Sequence, residues 1–317
     1  MATGIGVAGS GGGGQALPSI PHALSIAVAG VPLSTPAPRS TLEGVRMCGR
    51  LGIRAMEVEF VQGVRMKDEL AKEVGEEAKK LGISLSVHGP YFINLCSEDE
   101  LKMKNTHRHI LSSAQAAHHL HASPVVFHPG FYQGRGKKEC EARAKKELRL
   151  ILEAMASSGF NDVVLGAELT GKKSAYGDAD EIIELARHFG LTRLQPVIDF
   201  GHYHARIQRI QSKADYESIF DHFEDALGSS FKRHFHCHYS EIQYTEAGEG
   251  KHLPIGSLAA AKKAGADLDA PKGAGGPPYL PLLEVLHERK YDGTLVCESP
   301  AMEKDVLVMQ KSYGKMA

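Results

Sequence analysis

The sequence lacks most features that assign a chain to a class on their own. Its five cysteines, Cys48, Cys96, Cys140, Cys237 and Cys297, are odd in number, widely spaced and form no CxxC pair. That argues against a disulfide framework and against a thiolate zinc site, and a reducing, cytoplasmic setting fits best. Net charge is nearly absent, with 37 Lys+Arg against 38 Asp+Glu. Bulk electrostatics therefore give no signature for nucleic acid or membrane, and a polyanion would need a local basic patch or bound cations. No apolar run approaches the roughly 20 residues that span a bilayer. The N-terminus also lacks a basic segment leading into an apolar stretch, so an unexported protein with no membrane contact is expected. No glycine-rich loop of the GxGxxG or P-loop type follows the first strand-like segment, which weakens a dinucleotide-binding reading.

What is abundant is histidine, at 17 residues, and its placement has to explain the excess. Residues 1–22 are glycine and other small residues with few bulky side chains; they read as a flexible leader that cannot offset the entropy of ordering. From 23 onward short apolar runs alternate with amphipathic, charged segments. Strands are expected at 23–30, 55–61, 84–89, 124–130, 162–169, 195–202, 234–240 and 293–299, with helical patterns between them. Eight apolar strands, each followed by a helix, predict an α/β protein with a parallel sheet closed as a (β/α)8 TIM barrel, one domain over 23–317. The insertion from 243 to about 278 is too long for an ordinary loop and reads as functional or mobile.

Barrels of this kind assemble their sites at the C-terminal ends of the strands. There the expected strands three to eight terminate in His88, His128, Glu168, Asp199 with His202 just beyond, His238 and Glu298. Any one of these alone reads as a satisfied rim or core group; together they read as a ligand set. Imidazole and carboxylate without thiolate suit Zn2+, Mn2+ or Fe2+, and so many ligands exceed what one tetrahedral zinc takes, so more than one metal is implied. Paired cations about 3.5–4 Å apart are a recurring device for hydrolysing phosphate esters. Glu59, at the end of strand two, reads as an outer ligand, a supporting partner or a rim salt bridge. In the run His234–His252, only His238 falls at the strand's C-terminal end, while His234 and His236 read as interior or lower-rim residues.

Taken together, HGPYFINL (88–95), VVFHPG (125–130), AELTGKKSAYGD (167–178), VIDFGHYHAR (197–206), HYSEIQYTEAGEGKHLPIG (238–256) and LVCESP (295–300) resemble the endonuclease IV family of apurinic/apyrimidinic endonucleases. That family lies within the xylose isomerase-like barrel superfamily, and the likeness runs from about Ser25 to the C-terminus. It implies a first zinc on His88 and His128 with Glu168 as a bridge, and a second on Glu168, Asp199, His238 and Glu298. A third would take His202 and His252, but the family's aspartate position holds Gly250, leaving Glu249 as the available carboxylate. The resemblance further implies a monomer acting on double-stranded DNA at an abasic site. It places Tyr91 and Asn94 in the loop that enters the DNA and makes Glu168 the catalytic carboxylate. Arg135, Lys137, Lys138, Lys172, Lys173 and Arg206 lie near the expected mouth. Lys172, Lys173 and Arg206 are the ones expected to meet phosphates, with solvated surface as the competing reading. Two alternatives stay open: a metal-dependent sugar isomerase or epimerase of the same superfamily, and a nucleic-acid-binding barrel without catalysis.

Overall fold

Local sequence signals start and stop the helices around the barrel. Helix Thr41–Leu51 opens where the Ser40 side chain accepts from the Glu43 N–H and closes at Gly52, whose φ of 74° is left-handed. Helix Ala179–Phe189 opens on a capping box between Asp178 and Glu181. Helix Asp68–Leu81 buries Ala71, Val74, Gly75 and Ala78, a stripe at helical spacing. At Gly75 a Cβ would stand 2.8 Å from the Leu120 carbonyl, so glycine permits the approach of the neighbouring helix Glu100–Leu120.

A computed structural model describes residues 24–263 and 275–316. Eight strands close a barrel: β1 Ser25–Ala29, β2 Ala55–Glu59, β3 Ser84–His88, β4 Val125–Phe127, β5 Leu165–Glu168, β6 Leu194–Asp199, β7 Phe235–Tyr239 and β8 Gly293–Cys297. Every neighbouring pair is parallel, and β1 pairs with both β2 and β8. The predicted architecture is thus the observed one. The main apolar core lies between strands and helices. Side chains of the opposite parity face the lumen, where Ala27, Ala55 and Val296 form a separate small cluster. Above it the lumen turns polar, with Glu57, Ser86 and His236 buried, and then His88, Glu168, Asp199 and His238.

Several expected boundaries shift. The fourth strand was expected to run to 130 but stops at Phe127; Gly130, at φ 128°, opens a two-residue strand that pairs with Ala175–Tyr176 outside the barrel. The sixth was expected through 202 but ends at Asp199, because the Asp199 side chain accepts from the His202 N–H at 2.6 Å and caps a helix, Phe200–Ile207. Within the long insertion, Glu241–Thr245 and Gly248–Leu253 form a hairpin, followed by helix Ser257–Lys263. The expected leader at 1–22 and the stretch 264–274 lie outside the described residues.

Candidate metal centre

The mouth is built from side chains that neighbouring strands deliver to one point. Glu168, at the end of β5 and with no exposed surface, lies at its middle. Its Oε2 is 2.9 Å from His88 Nε2 and 2.9 Å from His128 Nε2, and its Oε1 is 3.1 Å from His202 Nδ1 and 3.5 Å from His238 Nδ1. His238 Nδ1 is also 3.1 Å from Glu298 Oε1. The ligand atoms of His88, His128 and Glu168 lie within 4.8 Å of one another, as do those of Glu168, Asp199, His238 and Glu298. Glu168 belongs to both sets.

These groups fit divalent cations on chemistry as well as position. Glu168 Oε1, Asp199 Oδ2 and His238 Nδ1 are buried polar atoms without a hydrogen bond, a costly state unless something positive accepts their lone pairs. Burial alone would push Glu168 up, but the imidazoles of His128, His238 and His202 hold its carboxyl well below the usual range. Glu298 is likewise drawn down to about 2 against burial by His238. Asp199 goes the other way, pushed up to about 6 by burial with Glu298 and Glu168 adding to it. Burial lowers His88, yet the carboxylates of Glu168, Glu59 and Glu57 carry it up to about 10. Without a cation, the carboxylates and imidazoles can only neutralise each other by holding protons.

A cavity of about 320 Å3 opens over this cluster, lined in part by His88, His128, His202, His252, Glu298 and Glu249. His202 and His252 stand with ring centroids 5.5 Å apart, and Glu249 Oε2 lies 3.3 Å from His202 Nε2. Among the described residues these three do not form a compact ligand set like the other two. His252 Nδ1 is 2.8 Å from Ser240 Oγ, and Gly250 is exposed on the hairpin. The hairpin brings Glu249 in because Gly248, at φ 113°, packs against the 171–172 backbone; a Cβ there would stand 2.9 Å from Lys172 Cα.

Tyr91 stands at the lip, 54% exposed, its ring 5.8 Å from His88 and 5.7 Å from His128. Lys172 lines the cavity and Lys173 is exposed beside it on the same loop. Asn94 and Arg206 do not line the cavity. Asn94 Oδ1 accepts the N–H groups of Cys96 and Phe131. The Arg206 guanidinium donates to the carbonyls of Thr170, Lys172 and Ala175 and so braces the loop that carries Lys172. Arg135 pairs with Glu98 and Glu139, Lys137 with Asp178, and Lys138 is exposed.

His236 lies in the interior and His234 just below β7 in a short 3-10 turn, both as expected. Glu59 makes no rim salt bridge among the described residues; burial pushes it up to about 8, with Glu57 and Glu298 adding to the effect. Glu57 was not anticipated at all. The alternation in AMEVEF puts it on the same face as Glu59, and barrel closure makes that face the lumen. All five cysteines are free and buried, and none belongs to a ligand set.

Fold and site together define a barrel whose C-terminal mouth gathers histidines and carboxylates in metal-ligand geometry. The chain belongs to the xylose isomerase-like TIM barrel family, whose model matches residues 45–314. It is 33% identical over 296 residues to the uncharacterized protein MJ0133 of Methanocaldococcus jannaschii, covering 92% of this chain and 98% of that one. It is 22% identical over 269 residues to apurinic-apyrimidinic endonuclease 1 of Schizosaccharomyces pombe, covering 79% and 70%. Among solved structures, a D-tagatose 3-epimerase-like protein superposes with a TM-score of 0.64 at 18% identity, covering 92% of this chain and 97% of that one. Endonuclease IV from Thermus thermophilus superposes with 0.62 at 17%, covering 92% and 98%. The fold is therefore common to endonucleases and sugar epimerases. Among the described residues, no helix is long and apolar enough to cross a membrane.

Proposed function

We propose that this protein is a metal-dependent DNA endonuclease that hydrolyses the phosphodiester 5′ to an abasic site, leaving a 3′-hydroxyl and a 5′-deoxyribose phosphate. The observation that carries this reading is the double membership of Glu168. It completes one set with His88 and His128 and another with Asp199, His238 and Glu298, a pattern made for two cations rather than one. The likeness to apurinic-apyrimidinic endonuclease 1 of Schizosaccharomyces pombe supports the same assignment.

Zinc fits the mixed imidazole and carboxylate donors best, with Mn2+ or Fe2+ as the neighbouring options. A bound pair supplies a water deprotonated near neutral pH and positive charge against an attacked phosphate. The chain's own residues do the rest. Glu168 holds the two ligand sets in register. Tyr91, exposed at the lip, offers a ring that helps hold the residue turned out of the helix, and an abasic residue leaves without unstacking a base. Lys172 and Lys173 meet backbone phosphates, which makes binding salt-dependent, and Glu249 with His202 and His252 takes a third, weaker cation.

A second reading, sugar epimerisation, is favoured by the likeness to the D-tagatose 3-epimerase-like protein and needs only the quartet Glu168, Asp199, His238 and Glu298. The zinc-loaded protein incubated with a duplex carrying one abasic site, and separately with a ketohexose, decides between them. Incision 5′ to the abasic site is the expected result. Epimerised sugar with intact duplex would overturn it.

A further inference from the structure

The lumen beneath the mouth holds a buried carboxylate that belongs to neither of the two ligand sets sharing Glu168. Glu57, on β2, has no exposed surface and lies across the barrel from β7, separated from it by β1 and β8. Its Oε2 accepts from Ser86 Oγ at 2.7 Å and from His236 Nε2 at 3.0 Å. Its Oε1 stands 3.0 Å from His238 Nε2, an ion-pair contact that lies off the hydrogen-bond axis. The other ring nitrogen of His238, Nδ1, faces Glu298 and Glu168 in the mouth.

We propose that Glu57 is the positioning residue of this centre: from inside the barrel it keeps the proton of His238 on Nε2, so that the Nδ1 lone pair is presented to the cation held by Glu168, Asp199 and Glu298. An ionised carboxylate only accepts, whereas a neutral imidazole has one N–H and one lone pair. A bare lone pair on either ring nitrogen would face a carboxylate, Glu57 at Nε2 and Glu298 at Nδ1; a cation in the mouth relieves that repulsion at Nδ1 and leaves the proton to Nε2. Ser86 and His236 fix the carboxylate from two further strands and keep it from swinging into the mouth. Carboxylates behind metal-bound histidines set ring orientation and raise ligand basicity in this way, and their loss typically weakens metal binding about 10–100-fold.

Glu57, His236 and His238 also bring ligand atoms within 4.8 Å of one another. We favour protons over a further cation here because Oε2 is already satisfied by two donors, Ser86 and His236.

The proposal rests on the metal-centre reading of the mouth and is independent of the substrate. Chelator competition on the full chain gives the affinity of each bound zinc, and absorption of the cobalt-substituted protein reports the geometry around it. Glu57→Gln is expected to weaken one cation about 10–100-fold and alter the cobalt spectrum, leaving the cation at His88 and His128 unchanged. Ser86→Ala, which removes one brace, should give a smaller change in the same direction, and it carries the test if Glu57→Gln fails to fold. Wild-type affinity and an unchanged spectrum in folded variants would reduce Glu57 to a structural role. A cation located on Glu57 and His236 by anomalous diffraction would also overturn the proposal. A wild-type chain that binds no divalent cation would remove the centre itself, whereas bound cations without DNA incision would strike only the endonuclease assignment.

Discussion

His118 stands 2.8 Å from Asp162 on the outer face of the molecule, and His88 stands 2.9 Å from Glu168 at the mouth. The distances match but the settings do not: the outer side chains are 36% and 53% exposed, the inner ones 4% and 0%. In water such a pair contributes about 0–1 kcal/mol. Out of water each charge needs fixed partners, because breaking a buried pair leaves an uncompensated charge at a cost of about 3–5 kcal/mol. The outer ring repeats the weaker version in His121–Glu76 and His222–Asp180. Part of the histidine excess thus falls into exposed pairs on the outer surface, and part into a convergent group that a cation would satisfy. Burial and convergence separate the two, and residue type does not.

The largest effect should come from Glu168→Gln, which removes the carboxylate common to both ligand sets. Incision of an abasic duplex is expected to fall below detection and bound metal to drop, while circular dichroism reports an intact barrel. Incision at the wild-type rate would show that the two sets do not depend on a shared carboxylate.

Removing divalent cations with a chelator comes next. Each site occupied at a free zinc level of about a hundred times its Kd stabilises the fold by about 2.7 kcal/mol, so calorimetry should show a clear fall in Tm on chelation and recovery on adding zinc.

The pH dependence sharpens the contrast further. In the metal-free protein burial opposes the His88 imidazolium, but its carboxylate neighbours raise the group from 6.5 to about 10. Stability from that pairing is complete below 6.5 and is lost as pH rises through 10. Asp199 and Glu59, raised by burial from 3.8 to about 6 and from 4.5 to about 8, act in the same sense over those lower windows, since ionising them inside the barrel costs stability as pH climbs. Glu298, brought down to about 2 against burial by His238, contributes stability present above 4.5 and lost as pH falls through 2. Melts of the metal-free chain should therefore decline between pH 6.5 and 10. Bound zinc takes neutral imidazoles and carboxylates, so loading it should largely abolish that decline.

The smallest effects belong to the outer ring. His118→Ala and His222→Ala should each shift stability by less than about 1 kcal/mol in urea denaturation and leave the metal content unchanged. A loss of bound metal in either would break the division between the two groups.

Much of the fold and of the candidate site was legible in the sequence. Continuous apolar strands at regular spacing announced the barrel, and its rule of C-terminal sites picked out His88, His128, Glu168, Asp199, His238 and Glu298 as residues that meet. What escaped was tertiary. VIDFGH reads as one strand because its apolar residues continue, yet Asp199 turns back to cap the next helix and sets His202 one turn away. Glu57 looked like half of an ordinary alternation until closure decided which face was the lumen. Asn94 and Arg206 carried the right chemistry for a substrate, and what their sequence did not announce is that Asn94 Oδ1 and the Arg206 guanidinium hold backbone groups of the loops around them. Glu249 reaches His202 only because a hairpin, invisible in a glycine-rich insertion, folds over the mouth.

Elemental analysis of the purified chain tests the central claim most directly. At least two divalent cations per molecule, falling together when Glu168 is replaced by Gln, is the expected result. A single cation that survives that replacement would contradict the shared-carboxylate centre.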